Sequence, residues 1–115
     1  MLRMLKLLHD SGITIVAGTD SLAGFTLHRE LENYVAAGIP APEVLQIATL
    51  GGAHVMKHDG ERGSITPGKL ADMILLYGDP SARISDIRRV VMVIKDGSVY
   101  DAAAVYQALG VGPAN

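Results

Sequence analysis

The run Ile13-Thr14-Ile15-Val16-Ala17 constrains the fold more than any other stretch of this chain. Apolar and β-branched residues follow one another without helical spacing, and Gly18-Thr19-Asp20 ends them abruptly. A short apolar run closed by a glycine reads as a buried strand. In parallel α/β folds the loops leaving the strand ends line one open face, and chemistry is done there. Asp20 falls just past the C-terminal end of the expected strand. A carboxylate in that place is a candidate metal ligand or general base. The competing reading is a turn residue or the cap of the next element.

The chain around this strand has two characters. Leu2, Met4, Leu5 and Leu8 recur at helical spacing, and Gly12 is placed to stop that helix. After a Gly/Ser/Thr loop over 18–26, a second helix is expected over 27–37, with Thr26 as its N-cap and Gly38 at its end. Pro42 suits the first turn of a third helix over 42–56, which Gly51-Gly52 weakens by about 1 kcal/mol each. Residues 57–69 are polar and turn-rich. Strands are then expected over 73–77 and 90–94, with Gly78-Asp79-Pro80 a turn between them. Asp96-Gly97 is a hairpin signal joining 93–95 to 98–100. A short helix over 102–109 closes the chain, and 110–115 is expected to fray. The division is thus 1–56, a slice of an α/β layer, and 57–115, a β-rich segment with a short C-terminal helix.

Bulk properties narrow the classes. A complete eight-fold α/β barrel needs roughly 200 residues or more, and this chain has 115. A hydrophobic content of 49% with 19% charged residues is globular, not disordered. The net charge of −2, with acids and bases interspersed, argues against a nucleic-acid or anionic-membrane surface. There are no cysteines, so disulfides and thiolate metal sites are excluded. Residues 1–8 lack the long apolar region and cleavage site of a signal peptide and read as a helix. A cytoplasmic location is the default expectation.

Further motifs extend the pattern. Gly18-Thr19-Asp20-Ser21 is followed by His28-Arg29-Glu30-Leu31-Glu32, then Ala36-Ala37-Gly38-Ile39, Pro42-Glu43-Val44-Leu45 and Ala48-Thr49. The segment Gly63-Ser64-Ile65-Thr66-Pro67-Gly68-Lys69-Leu70-Ala71-Asp72 and the later Val93-Ile94-Lys95-Asp96-Gly97 complete the series. In this order and spacing the chain resembles the C-terminal part of the amidohydrolase superfamily, closest to its imidazolonepropionase-like and prolidase-like metal-dependent hydrolases. The 63–72 segment is the most specific piece. The resemblance implies an α/β fold: the last strand-and-helix portion of a metal-dependent hydrolase TIM barrel, plus part of a small flanking β-sandwich. It implies hydrolysis of an amide or cyclic amide by a metal-activated water, with a small-molecule amide or dipeptide-like substrate. Asp20 would bind the metal and take the proton of the attacking water. The cofactor would be a divalent metal, zinc first, held by the complete enzyme and not by this chain alone.

The other candidates are weaker. The resembled family draws further ligands from a His-x-His pair and other residues on earlier strands, and no His-x-His occurs here. His54 and His58 are four apart and could share a helix face, but exposed histidines near a helix C-terminus are the simpler reading. His28 opens the helix after the Asp20 loop and is a candidate substrate contact. Thr19 and Ser21 are candidates to orient Asp20 through hydrogen bonds. Ser21 as a nucleophile lacks a Gly-x-Ser-x-Gly elbow and is rejected. Arg88-Arg89 reads as a solvated pair, and Lys69 and Asp72 as structural. The rival functions are a deaminase or dipeptidase of the same superfamily, and a non-catalytic remnant acting through association. Either self-association or the missing N-terminal part of the enzyme is the expected partner.

Overall fold

In the computed structural model, residues 1–20 and 26–112 are described. Helix α1 (Leu2–Asp10) is followed by the segment 13–17, then α2 (Leu27–Ala36) and α3 (Ala41–Gln46). A π-helical turn (Ile47–Gly51) joins α3 to α4 (Gly52–Val55). The second half holds β1 (Met73–Leu76), a 3₁₀ turn (Ile84–Arg88), β2 (Val90–Lys95), β3 (Ser98–Asp101) and α5 (Ala102–Ala108). Among the described residues no helix is long and apolar enough to cross a membrane. Of the tail expected to fray, 113–115 lies outside the described residues.

The segment 13–17 is not a strand in this structure. A parallel strand exists only through its neighbours' backbone groups, and the described sheet lies elsewhere and is antiparallel. The segment keeps one trace of a strand. Ile15, Ala17 and Thr19 are half-buried, while Thr14, Val16, Gly18 and Asp20 are exposed, a period of two. Ile15 and Ala17 pack against the core.

The helix expected over 42–56 forms from Ala41 to Val55, but with a widened turn in its middle. Thr26 stands at the N-cap position of α2 with helical backbone angles and makes no side-chain cap. The three strands run β1-β2-β3. Met73 faces Ile94 and Leu76 faces Val90, with an irregularity between Leu75 and Leu76. Lys95 faces Ser98 across a two-residue turn. Asp96 and Gly97 both have positive φ there (49° and 79°), which two-residue hairpins require. Asp72 staples the hairpin, accepting from the Asp96 amide at 2.8 Å and from Lys95 Nζ at 2.9 Å.

One core joins both halves. Leu31 and Tyr34 of α2, Ile39 and Val44 meet Ile84 and Ile87 of the 3₁₀ turn. Glu32 on α2 and Arg88 form a bidentate pair at 2.7 and 2.9 Å over the same seam. Two glycines are fixed by close approach. At Gly78 (φ 99°) a Cβ would lie 2.3 Å from Oδ2 of Asp86, a buried carboxylate that accepts from the Asp79 amide and Arg83 Nε. At Gly63 (φ 92°) a Cβ would lie 2.7 Å from Ala53 Cβ and 3.0 Å from Leu50 Cα. The 63–72 motif therefore begins by docking on the helix beside its widened turn. Lys69 Nζ then donates to Ser64 Oγ at 2.8 Å and to the Asp59 carbonyl, bracing the loop.

Candidate active site

Asp20 is exposed at the end of the alternating segment, in a cleft of about 470 Å³. Leu2 and Leu5 of α1 form one wall, and Arg29, Glu30 and Tyr34 of α2 form the other. Thr19 lines the same cleft. The Asp20 carboxylate has no hydrogen-bond or ion-pair partner among the described residues. Ser21 lies outside the described residues.

The backbone leading to Asp20 is held from α2. Glu30 Oε1 accepts from the Gly18 amide at 3.2 Å and from the Tyr34 hydroxyl at 2.6 Å. The same hydroxyl lies 3.1 Å from the Val16 carbonyl oxygen. A hydroxyl has one proton to give, so the two acceptors share it, and the shorter, charge-assisted contact to Glu30 is the stronger. Burial, then the Glu30 carboxylate, push the Tyr34 hydroxyl above its ordinary value of 10.0, so it stays a donor.

His28 lines a different depression. It borders an apolar groove of about 690 Å³ between α2, the sheet and α5, with Leu27, Leu31, Val93 and Tyr100. Burial, then the Arg88 guanidinium, hold its imidazole below the ordinary 6.5, while Glu32 opposes them. His54 and His58 do not converge either: His54 Nδ1 is 3.1 Å from Asp59 and His58 Nδ1 is 3.3 Å from Glu61. Arg88 is half-buried on Glu32 and Arg89 lies over the Tyr77 ring at 5.8 Å.

Among the described residues no three histidine, aspartate or glutamate side chains are grouped to hold a metal ion. A catalytic zinc takes three protein ligands and keeps a fourth position open. Asp20 by itself does not meet that requirement. Glu30 and Tyr34 were not singled out by the sequence reading. Their signal was present as a helical pair four apart, facing whatever α2 packs upon.

The amidohydrolase family model matches residues 1–100. A 5-methylthioadenosine/S-adenosylhomocysteine deaminase of Thermoanaerobacter pseudethanolicus is 36% identical over 78 residues, covering 56% of this chain and 18% of that protein. Adenine deaminase 4 of Rhizobium meliloti is 30% identical over 86 residues, 73% of this chain and 13% of that one. Among solved structures, a Xaa-Pro dipeptidase with methionine bound in its active site superposes with a TM-score of 0.82 at 34% identity. That match covers 88% of this chain and 25% of the dipeptidase. The chain thus spans about a quarter or less of the length of each of these relatives. By the match over residues 1–100 and the shared fold, this chain belongs to the amidohydrolase family.

Proposed function

We propose that the chain is the C-terminal portion of a metal-dependent amidohydrolase that cleaves a carbon–nitrogen bond, with Asp20 as its metal-binding carboxylate and proton acceptor. The observation that carries this reading is the place of Asp20. It sits exposed in a cleft, with no partner among the described residues, at the end of a segment that alternates like a strand. On this reading residues 1–56 are the last strand-and-helix portion of a TIM barrel, and the segment 13–17 gains its ladder from barrel neighbours. The three-stranded sheet is then part of a small flanking sandwich.

The residues described here do not make a metal site alone, so the remaining ligands belong to the complete enzyme. A divalent metal, zinc first, would supply a water with a pKa near roughly 7. The contribution of this chain is a carboxylate placed to ligate and to receive the proton released as water attacks. Small amides or dipeptides are the substrates that the similarity to a Xaa-Pro dipeptidase supports. Similarity to two deaminases supports the rival, attack of water at a ring carbon bearing an amino group. Both reactions need the same carboxylate.

The test is turnover by the 115-residue chain with added zinc, on dipeptides, N-acyl amino acids and adenosine. No turnover is expected. Zinc-dependent turnover abolished by Asp20→Asn would overturn the claim that the chain is catalytically incomplete.

The second reading, action through association, is favoured by one quantity. A folded chain of this mass exposes about 6,000 Å², and this one exposes 7904 Å². The difference exceeds the roughly 800 Å² that each partner buries in a stable interface.

A further inference from the structure

We propose that Glu30, backed by Tyr34, is a positioning residue that fixes the direction in which Asp20 leaves the 13–17 segment; this assignment rests on Asp20 being the metal-binding carboxylate and proton acceptor of the hydrolase. Three features carry it. The first is spacing. Residues four apart on a helix are about 6 Å apart along its axis, and residues two apart in an extended chain are about 6.6 Å apart. Tyr34 and Glu30 are four apart on α2, and they hold Val16 and Gly18, two apart on the segment. The helix thus reads two consecutive same-side backbone groups of the segment, in antiparallel order.

The second feature is attachment. Among the described residues the segment has no ladder partner. The Gly18 amide has the Glu30 carboxylate as acceptor, and the Val16 carbonyl shares the Tyr34 hydroxyl proton with Glu30, so α2 ties the last residues before Asp20; at the other end of the segment the Ile13 amide donates to the Leu8 carbonyl at 3.1 Å. Gly18 is exposed, so its tie orients the backbone and does not relieve a buried unpaired group. The third feature is rigidity of the anchor. Tyr34 is 7% exposed and belongs to the core. Its hydroxyl holds Glu30 Oε1 at 2.6 Å, so the carboxylate that grips Gly18 is itself held. Glu30 needs no contact with substrate or metal for this role. It acts two residues upstream of the Asp20 carboxylate, through the backbone.

The test is amide exchange and resonance assignment of the 115-residue chain in four forms: wild type, Glu30→Ala, Glu30→Asp and Glu30→Gln. Loss of a charge-assisted hydrogen bond is expected to speed Gly18 exchange about tenfold in Glu30→Ala. The Asp20 resonances should move toward coil positions with it. Glu30→Asp keeps the charge but withdraws the carboxylate by one methylene, and it should show the same loss. Glu30→Gln keeps an acceptor at full reach and should restore Gly18 to within about threefold of wild type. The Val93 amide in β2 serves as the reference and should not change. Unchanged Gly18 exchange and Asp20 resonances in Glu30→Asp would overturn the proposal, as would equal acceleration at Val93 in every variant. If Glu30→Ala fails to fold, Glu30→Asp decides against Glu30→Gln. The readout is a resonance and not turnover, so a failure here is distinct from a failure of the hydrolase reading.

Discussion

At the scale of single residues, the fold holds both His28 and Glu32 of α2 deprotonated. Burial and the Arg88 guanidinium keep folded His28 below 6.5. The unfolded chain then binds more protons than the native one as pH falls through that value. The contribution of His28 is therefore fully present above about pH 6.5 and is lost below it. Glu32 is held below its ordinary 4.5, first by the Arg88 hydrogen bonds. Its contribution is present above about pH 4.5 and is lost as pH falls through its lowered folded value. Urea unfolding at fixed dilute concentration should show two steps of falling stability on acidification. His28→Gln is expected to flatten the fall in stability below about pH 6.5 and leave the acidic step. Glu32→Gln should shrink the acidic step, which Asp72 and Asp86 share, and lower stability at pH 7 by about 1 kcal/mol, in the range of a partly exposed pair. A wild-type profile that does not fall as pH drops below about 6.5 would contradict the account of His28.

At the scale of elements, the 63–72 motif and the helix it docks on depend on a missing side chain. Gly63→Ala would place a Cβ against Leu50 Cα and Thr49 O, with φ already at 92°. The expected loss is about 2–4 kcal/mol. Gly112→Ala, where a Cβ meets nothing within 4 Å, should stay within about 0.5 kcal/mol. Equal melting of the two variants would contradict the docking. The same scale explains what could be read from sequence. The Asp96-Gly97 hairpin was legible because turn chemistry is local. The 63–72 motif was legible as structural because Pro67-Gly68 and Lys69 shape a loop. The segment 13–17 misled, because hydrophobicity reports burial while a strand also needs neighbours. The 3₁₀ turn went unassigned although Ile84 and Ile87, three apart, fill the core. Its Asp86 is buried, and composition gives no sign of that. Asp101 was missed as the cap of α5, accepting from the Ala104 amide at 2.8 Å, although an acid before Ala102-Ala103-Ala104 is a start signal. The exposure of Asp20 at the end of the apolar run was legible, because a glycine and a polar triplet close that run. Glu30 and Tyr34 were not, because their partners lie 12 and 18 residues away.

At the scale of the whole molecule, the chain is open for its size. Its radius of gyration is 14.7 Å, against about 13 Å for a compact domain of this length. Apolar side chains of α1 such as Met4 and Leu7 are each 66% exposed, and Leu109 beyond α5 is 65% exposed. Burying such surface is worth roughly 25 cal/mol per Å², so light scattering should give a mass that rises with concentration; a concentration-independent monomer would contradict this. Openness fits a piece of a larger hydrolase, and the claim at the centre is that Asp20 is the metal-binding carboxylate and proton acceptor of that hydrolase. The measurement that tests it most directly is turnover of a chimera in which this chain replaces the matching quarter of the Xaa-Pro dipeptidase it superposes on. The account predicts metal-dependent dipeptide hydrolysis that falls at least about 100-fold in Asp20→Asn, the lower range for a catalytic proton acceptor. A chimera that turns over equally well with asparagine at position 20 would contradict it.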